Sequence, residues 1–243
     1  MNDFIVYPAI DLRKGKVVRL QQGKSDLQTV FSLDPLQVAR QWVEQGAEWL
    51  HIVNLDGAFG ETAIENIKAL TKILGMLKGK VKIQVGGGFR SFSQIQSAIT
   101  MGVDRVVLGT AVIENPNFGG DVIKSFGFKR VAIGIDALAG VLMTHGWVKS
   151  SGIQIVEFIR QLVEHGAKTF IYTNIEKDGM NSGLDWENAK KMKEEFPLDI
   201  IASGGTASLS DIIAVKNAGL DGMIIGRALY EGKFTYAEAL NVC

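Results

Sequence analysis

Residues 85–115 read VGGGFRSFSQIQSAITMGVDRVVLGTAVIEN, and residues 202–232 read ASGGTASLSDIIAVKNAGLDGMIIGRALYEG. At a shift of 117 positions the two align without a gap, and ten of their 31 positions are identical. The identities include Gly87 with Gly204, Gly88 with Gly205, Ser91 with Ser208, Gly102 with Gly219 and Gly109 with Gly226. Each copy predicts a strand ending in glycines, a serine-led helix, a glycine stop, and a second apolar strand ending in glycine. Glycine after a strand lets backbone approach a ligand closely. A serine N-cap turns the free N–H groups of a helix start toward the same place, which suits phosphate. A duplicated cradle predicts two phosphates on opposite sides of one centre.

The strands around this repeat fall into the same rhythm. Apolar or alternating runs at 4–10, 49–55, 81–85, 130–135, 169–173 and 198–202, with one more in each glycine unit, predict eight main strands. Helical patterns at 34–46, 63–74, 118–126, 153–164, 185–195 and 234–240 alternate with them. A short alternating run at 16–21 and an arm at 140–144 stand outside the alternation. Near-continuous apolar strands between helices mean a parallel sheet covered on both faces. Eight such units in 243 residues predict one domain, a single (β/α)8 TIM barrel over 1–243 with a twofold half-barrel repeat. An open doubly wound sheet is the alternative. The halves also echo one another outside the glycine units. Ile10-Asp11-Leu12 with Gly15 matches Ile135-Asp136-Ala137 with Gly140.

Composition narrows the function classes. Apolar residues make up 47% of the chain, enough for a sizeable core, and 26 basic residues balance 26 acidic ones. That balance argues against a general nucleic-acid or anionic-membrane surface, so an anionic ligand must be held by local groups. The one cysteine, Cys243, excludes a disulfide framework or thiol cluster. The opening residues lack a secretory pattern and no apolar run reaches spanning length, so a cytoplasmic protein is expected.

In a barrel, the C-terminal strand ends face the active site. Those ends carry Asp11, Asp56, Gly87 and Gly88, Gly109, Asp136, Thr173 with Asp178, Ser203 with Gly204, and Gly226. Strands one and five lie opposite each other, so Asp11 and Asp136 should face across the mouth between the phosphate cradles. Two opposed carboxylates perform acid–base chemistry if their surroundings separate their pKa values. Asp56 is read as a cap or structural partner. His51 is read as a core or layer residue, His165 as a helix-end residue, and His145 as a group able to touch a ligand. No spacing suggests a metal site, and no P-loop or dinucleotide fingerprint is present.

The opening PAIDLRKGKVVRLQQG, followed in order by VGGGFRS, LGTAV, IGIDA with HGW, YTNIEKDG, ASGG and IIGRALYEGK, resembles the phosphoribosylformimino-5-aminoimidazole carboxamide ribotide isomerases of histidine biosynthesis. The resemblance covers essentially the whole chain. It implies an Amadori rearrangement of an aminoaldose to an aminoketose, with no cofactor and no metal, on a small-molecule bisphosphate substrate. It gives Asp11 the role of base and Asp136 that of proton donor, with Asp178 a rival for the acid. It makes Thr173, Arg19 and Trp147 ligand contacts. Gly87, Gly88, Arg90, Gly109 and Thr110 would hold one phosphate, and Ser203, Gly204, Gly205, Gly226 and Arg227 the other. No nucleic acid or membrane partner is implied, and a monomer is expected. Asn54 and Met180 depart from the family's usual Asp and Thr, and 182–185 lean toward the sister cyclase. A bifunctional isomerase that also accepts phosphoribosylanthranilate, a non-catalytic phosphosugar-binding barrel, and a Schiff-base aldolase barrel are the competing readings.

Overall fold

The computed structural model describes residues 4–243. In chain order its strands are β1 (Ile5–Arg13), β2 (Lys16–Gln21), β3 (Lys24–Ser32), β4 (Trp49–Asn54), β5 (Lys82–Gly86), β6 (Arg105–Leu108), β7 (Val131–Leu138), β8 (Val141–Thr144), β9 (Lys149–Gln154), β10 (Thr169–Asn174), β11 (Asp199–Ser203) and β12 (Gly222–Ile225). Eight of them run parallel in the order β1-β4-β5-β6-β7-β10-β11-β12. The ring closes where β12 pairs with β1, from Ile5 against Gly222 to Pro8 against Ile225. The fold is therefore a (β/α)8 barrel, and β1 and β7 stand opposite each other in it.

The other four strands make two arms that the sequence only half revealed. β2 turns back antiparallel on β1, Asp11 opposite Val18, and continues into β3. β8 turns back on β7, Ala137 opposite Leu142, and continues into β9. Each half-barrel thus carries one arm on its first strand. β3 was not foreseen, and β7 runs to Leu138 rather than stopping at residue 135. The strand expected to reach Leu55 ends at Asn54, because the Asn54 side chain accepts the Gly57 N–H at 3.1 Å and starts a short helix, Leu55–Phe59. Two further short helices, Thr110–Glu114 and Arg227–Tyr230, follow β6 and β12 at once.

The helices coat the barrel as their periodicity demands. In Ile155–Glu164, Ile155, Phe158, Ile159 and Leu162 are buried on one stripe. Truncating a fully buried residue such as Phe158 to alanine costs about 3–5 kcal/mol. Ser91 caps Phe92–Met101 and Ser208 caps Leu209–Asn217, each within a capping box. The large core lies between barrel and helices. A smaller apolar group, Tyr7, Ala9, Ala132, Ile171, Ile201 and Ile224, fills the barrel itself.

Candidate active site

The sixteen residues to which the resemblance assigns roles in catalysis or binding all line one cavity of about 260 Å³ at the C-terminal strand ends. That volume exceeds what one phosphate needs and suits an extended ligand. Asp11 ends the inward-facing run of β1. Asp136 occupies the matching place on β7 and pairs in register with Thr173 of β10. Asp178 comes from the loop after β10.

The two glycine cradles have nearly the same backbone. Gly87 and Gly88 hold φ of 99° and 88°, and Gly204 and Gly205 hold 86° and 92°. A side chain is strained there whatever the space. A Cβ on Gly88 would come within 2.7 Å of the Gly57 backbone, and one on Gly205 within 2.6 Å of the Gly183 carbonyl oxygen. Gly109 (φ −121°, ψ −103°) and Gly226 (φ −109°, ψ −103°) also match. The Thr206 hydroxyl, which no sequence signal selects, is buried beside the second cradle without a hydrogen-bond partner among the described residues. Phosphate oxygens would satisfy it.

Side chains around the cradles differ. The Arg90 guanidinium is exposed at the rim and makes no side-chain hydrogen bond or ion pair among the described residues, whereas Arg227 is tied to Glu231 and donates to the Gly179 carbonyl at 2.6 Å. Thr110 Oγ1 accepts the backbone N–H of His145 at 3.0 Å, leaving its own proton for a ligand. His145 itself, expected as a possible ligand contact, is not in the cavity wall; its ring lies 3.6 Å from Glu114.

Arg19 reaches in from β2. Nη1 donates to Asp11 Oδ2 at 2.6 Å and Nη2 to the Ala9 carbonyl at 2.8 Å. Gly226 makes room for it, since a Cβ there would lie 2.7 Å from the guanidinium carbon. The arms meet over the mouth: Trp147 packs on Gly23, and Gly179 lies against the Leu20 backbone.

Burial governs the carboxyls. It raises Asp11 above the usual carboxylate range, with Arg19 pulling the other way. It raises Asp136 too, against polar contacts from Trp147 and Thr173. Asp178 is pushed up to about 7, first by burial and then by the charges of Asp11 and Asp136, while Arg19 opposes the shift. Asp56 stands apart. It is buried away from the cavity, accepts the Lys14 N–H at 3.0 Å, and so is structural. Asn54 also accepts from Asn66 Nδ2 at 2.8 Å. Asp185 stands at the start of Trp186–Glu195 and accepts from Tyr172 and Asn174. Among the described residues no group of three or more His, Cys, Asp or Glu is placed to hold a metal ion, and no helix is long and apolar enough to cross a membrane.

The wall of the cavity also contains His51 of β4, bonded to Gln84 of β5. Its burial agrees with the reading as a layer residue. Its contact with Gln84 was invisible in sequence because it depends on the register between neighbouring strands.

The profile of a family described as histidine biosynthesis protein matches residues 5–235. A Syntrophomonas wolfei protein is 42% identical over 240 residues, covering 98% of this chain and 97% of its own. One from Bacillus velezensis is 42% identical over 244 residues, covering 99% and 98%. One from Moorella thermoacetica is 43% identical over 243 residues, covering 98% of each. All three are named 1-(5-phosphoribosyl)-5-((5-phosphoribosylamino)methylideneamino)imidazole-4-carboxamide isomerase.

Proposed function

The chain belongs to the histidine biosynthesis protein family, and we infer that it is an aldose–ketose isomerase of that pathway, acting on the aminoaldose that its relatives' name describes. One observation carries the reading of the site: three carboxyls in different electrostatic surroundings share a cavity with two repeat-related glycine cradles. That name contains two phosphoribosyl groups, and the cradles give each phosphate a seat, with Thr206 an added donor at one of them.

The reacting ribosyl group lies between the seats. An acid protonates its ring oxygen and the ring opens to a Schiff base. A base removes the C2′ proton, and the resulting enolamine becomes the aminoketose. Asp11 is the base. The Arg19 guanidinium beside it favours the ionised form, while burial makes it more basic than an aspartate in water, which suits proton abstraction. The sequence ranked Asp136 ahead of Asp178 as the acid. Burial raises both carboxyls, and the added repulsion of Asp11 and Asp136, which helps push Asp178 up to about 7, supports Asp178 as the acid. Arg19 ties the base to the second cradle, and Trp147 with Thr173 orients Asp136. The barrel and its cavity are complete in one chain, which supports a monomer with one catalytic domain. A cytoplasmic location belongs to the same reading.

The test is turnover of the bisphosphate aminoaldose by the purified protein, with phosphoribosylanthranilate in parallel. Conversion of the first is expected. Conversion of the second as well would broaden the function to the bifunctional isomerase. Tight binding of the first without turnover would leave only a phosphosugar-binding barrel.

A further inference from the structure

Beneath the carboxyls, the barrel floor holds a polar file that the mechanism above does not use. His51, Gln84 and Arg105 sit side by side on β4, β5 and β6, in register with one another. All three are buried. We propose that Gln84 is a positioning residue which, held by Arg105, locks His51 as the neutral Nε2–H tautomer and so presents an N–H donor to the substrate.

The argument follows from donor and acceptor inventory. Arg105 is stacked 4.5 Å from the Trp49 ring centre and 5.6 Å from that of Tyr7, and its Nη2 donates to the Tyr7 hydroxyl at 3.0 Å. Its Nε and Nη2 donate to Gln84 Oε1 at 2.9 and 2.6 Å. A guanidinium has no acceptor, so it fixes which end of the Gln84 amide faces it. The amide NH2 is thereby turned to His51 Nδ1, at 2.8 Å. An NH2 group only donates, so Nδ1 must carry the lone pair. The proton of the neutral ring is then on Nε2, the nitrogen left for a ligand in the cavity wall. Protonation would set Nδ1–H against the Gln84 NH2. Burial and the charges of Arg19 and Arg105 pull the same way, holding His51 down to about 3.

The use of such a donor rests on the isomerase reading. When the C2′ proton leaves, the electron pair flows toward the Schiff-base nitrogen. In the next step the enol hydroxyl on C2′ gives up its proton as C1′ takes one, and negative charge builds on that oxygen as it becomes the ketone. A neutral, pre-oriented N–H stabilises that oxygen without competing for the proton that Asp11 takes. An imidazolium or an Nδ1–H tautomer would not serve.

Long-range 1H–15N correlation on 15N-labelled full-length protein tests the lock directly, with His51 assigned by its loss in His51→Gln. We expect the Nε2–H pattern, unchanged between about pH 5.5 and 8.5. Gln84→Glu keeps the shape but turns an acceptor to Nδ1, and should move His51 to Nδ1–H or the imidazolium. In the same variant kcat should fall at least about tenfold, with KM within about threefold. If that variant does not fold, Gln84→Met, which offers neither donor nor acceptor, should let the two tautomers coexist. An Nδ1–H or cationic His51 in the parent protein, or an undisturbed Nε2–H in either variant, overturns the lock. A switched tautomer with full kcat overturns its part in the reaction. A parent protein that shows the lock but does not turn over the aminoaldose would instead overturn the isomerase reading.

Discussion

The two glycine cradles share one backbone and differ in charge. Gln94 closes the capping box of the first; Asp211, its repeat partner, closes that of the second. Arg90 at the first has no side-chain partner among the described residues, while Arg227 at the second is held by Glu231 and by the carbonyl of Gly179, one residue beyond Asp178. Glu114, the partner of Glu231, faces His145 instead. A twofold scaffold would bind a twofold ligand in either direction. The unequal side chains remove that ambiguity. The first cradle has an exposed cation at its rim, and the second couples its cation to the loop that carries Asp178.

The same inequality extends to the carboxyls on the axis, and Asp11→Asn should have the largest effect. A carboxamide cannot take the C2′ proton, so kcat should fall by at least about 10³-fold, read in steady-state assays. Asp136→Asn should cost less and keep an alkaline loss of rate, moved to lower pH because one of the charges that raise Asp178 is gone. Asp178→Asn should remove that limb. If Asp136→Asn removes it, the acid role moves back to Asp136.

Next in size is a contrast of stability. Alanine at Gly87 would drive its Cβ into the Asn54 backbone, whereas at Gly204 it meets the Thr173 methyl at 3.1 Å. Both positions have positive φ. We expect Gly87→Ala to lose about 2–4 kcal/mol in urea unfolding and Gly204→Ala about 1–2. Equal losses would mean the cradles are mechanically equivalent.

The third contrast separates binding from chemistry. Arg90→Ala should raise KM about tenfold and leave kcat within about twofold, while Arg227→Ala should lower kcat as well, through the Asp178 loop. Parallel changes in the two variants would erase the distinction drawn above.

The smallest effect concerns pH. Asp178 has a folded-state pKa near 7, raised above its value in the unfolded chain. Its contribution to stability is therefore full below about pH 4 and is lost as pH rises through 7. Asp178→Asn should gain on the order of 1 kcal/mol at pH 8 relative to pH 5, a figure reduced because the group is partly open to the cavity. A pH-independent difference in unfolding midpoints would count against the raised carboxyl.

What the sequence revealed follows from which interactions are local. Glycines at fixed offsets, serine caps and strand-end aspartates leave a mark in a single chain segment, so the barrel, the cradles and the carboxyl trio were legible. β3 was not, because its partner β2 lies across a turn and its residues do not read as a buried strand. The helices after Gly109 and Gly226 are too short for periodicity to register. Gln84 and Arg105 look like misplaced polar residues in apolar strands. Only the register that sets them beside His51 gives them a purpose.

The seam between β12 and β1 has a consequence for synthesis. Ile5 finds its partner at Gly222, almost the whole chain later. At ribosomal speeds of about 5–20 residues per second, the outer edge of β1 waits on the order of ten seconds or more for its mate. During that interval the nascent sheet is open at both ends and presents unpaired backbone groups to any neighbour. Tyr236, whose hydroxyl donates to the Val6 carbonyl at 2.9 Å, arrives later still and bolts the seam from outside. A ribosome stalled before residue 222 would hold an unsealed barrel, the form of this protein most in need of a chaperone.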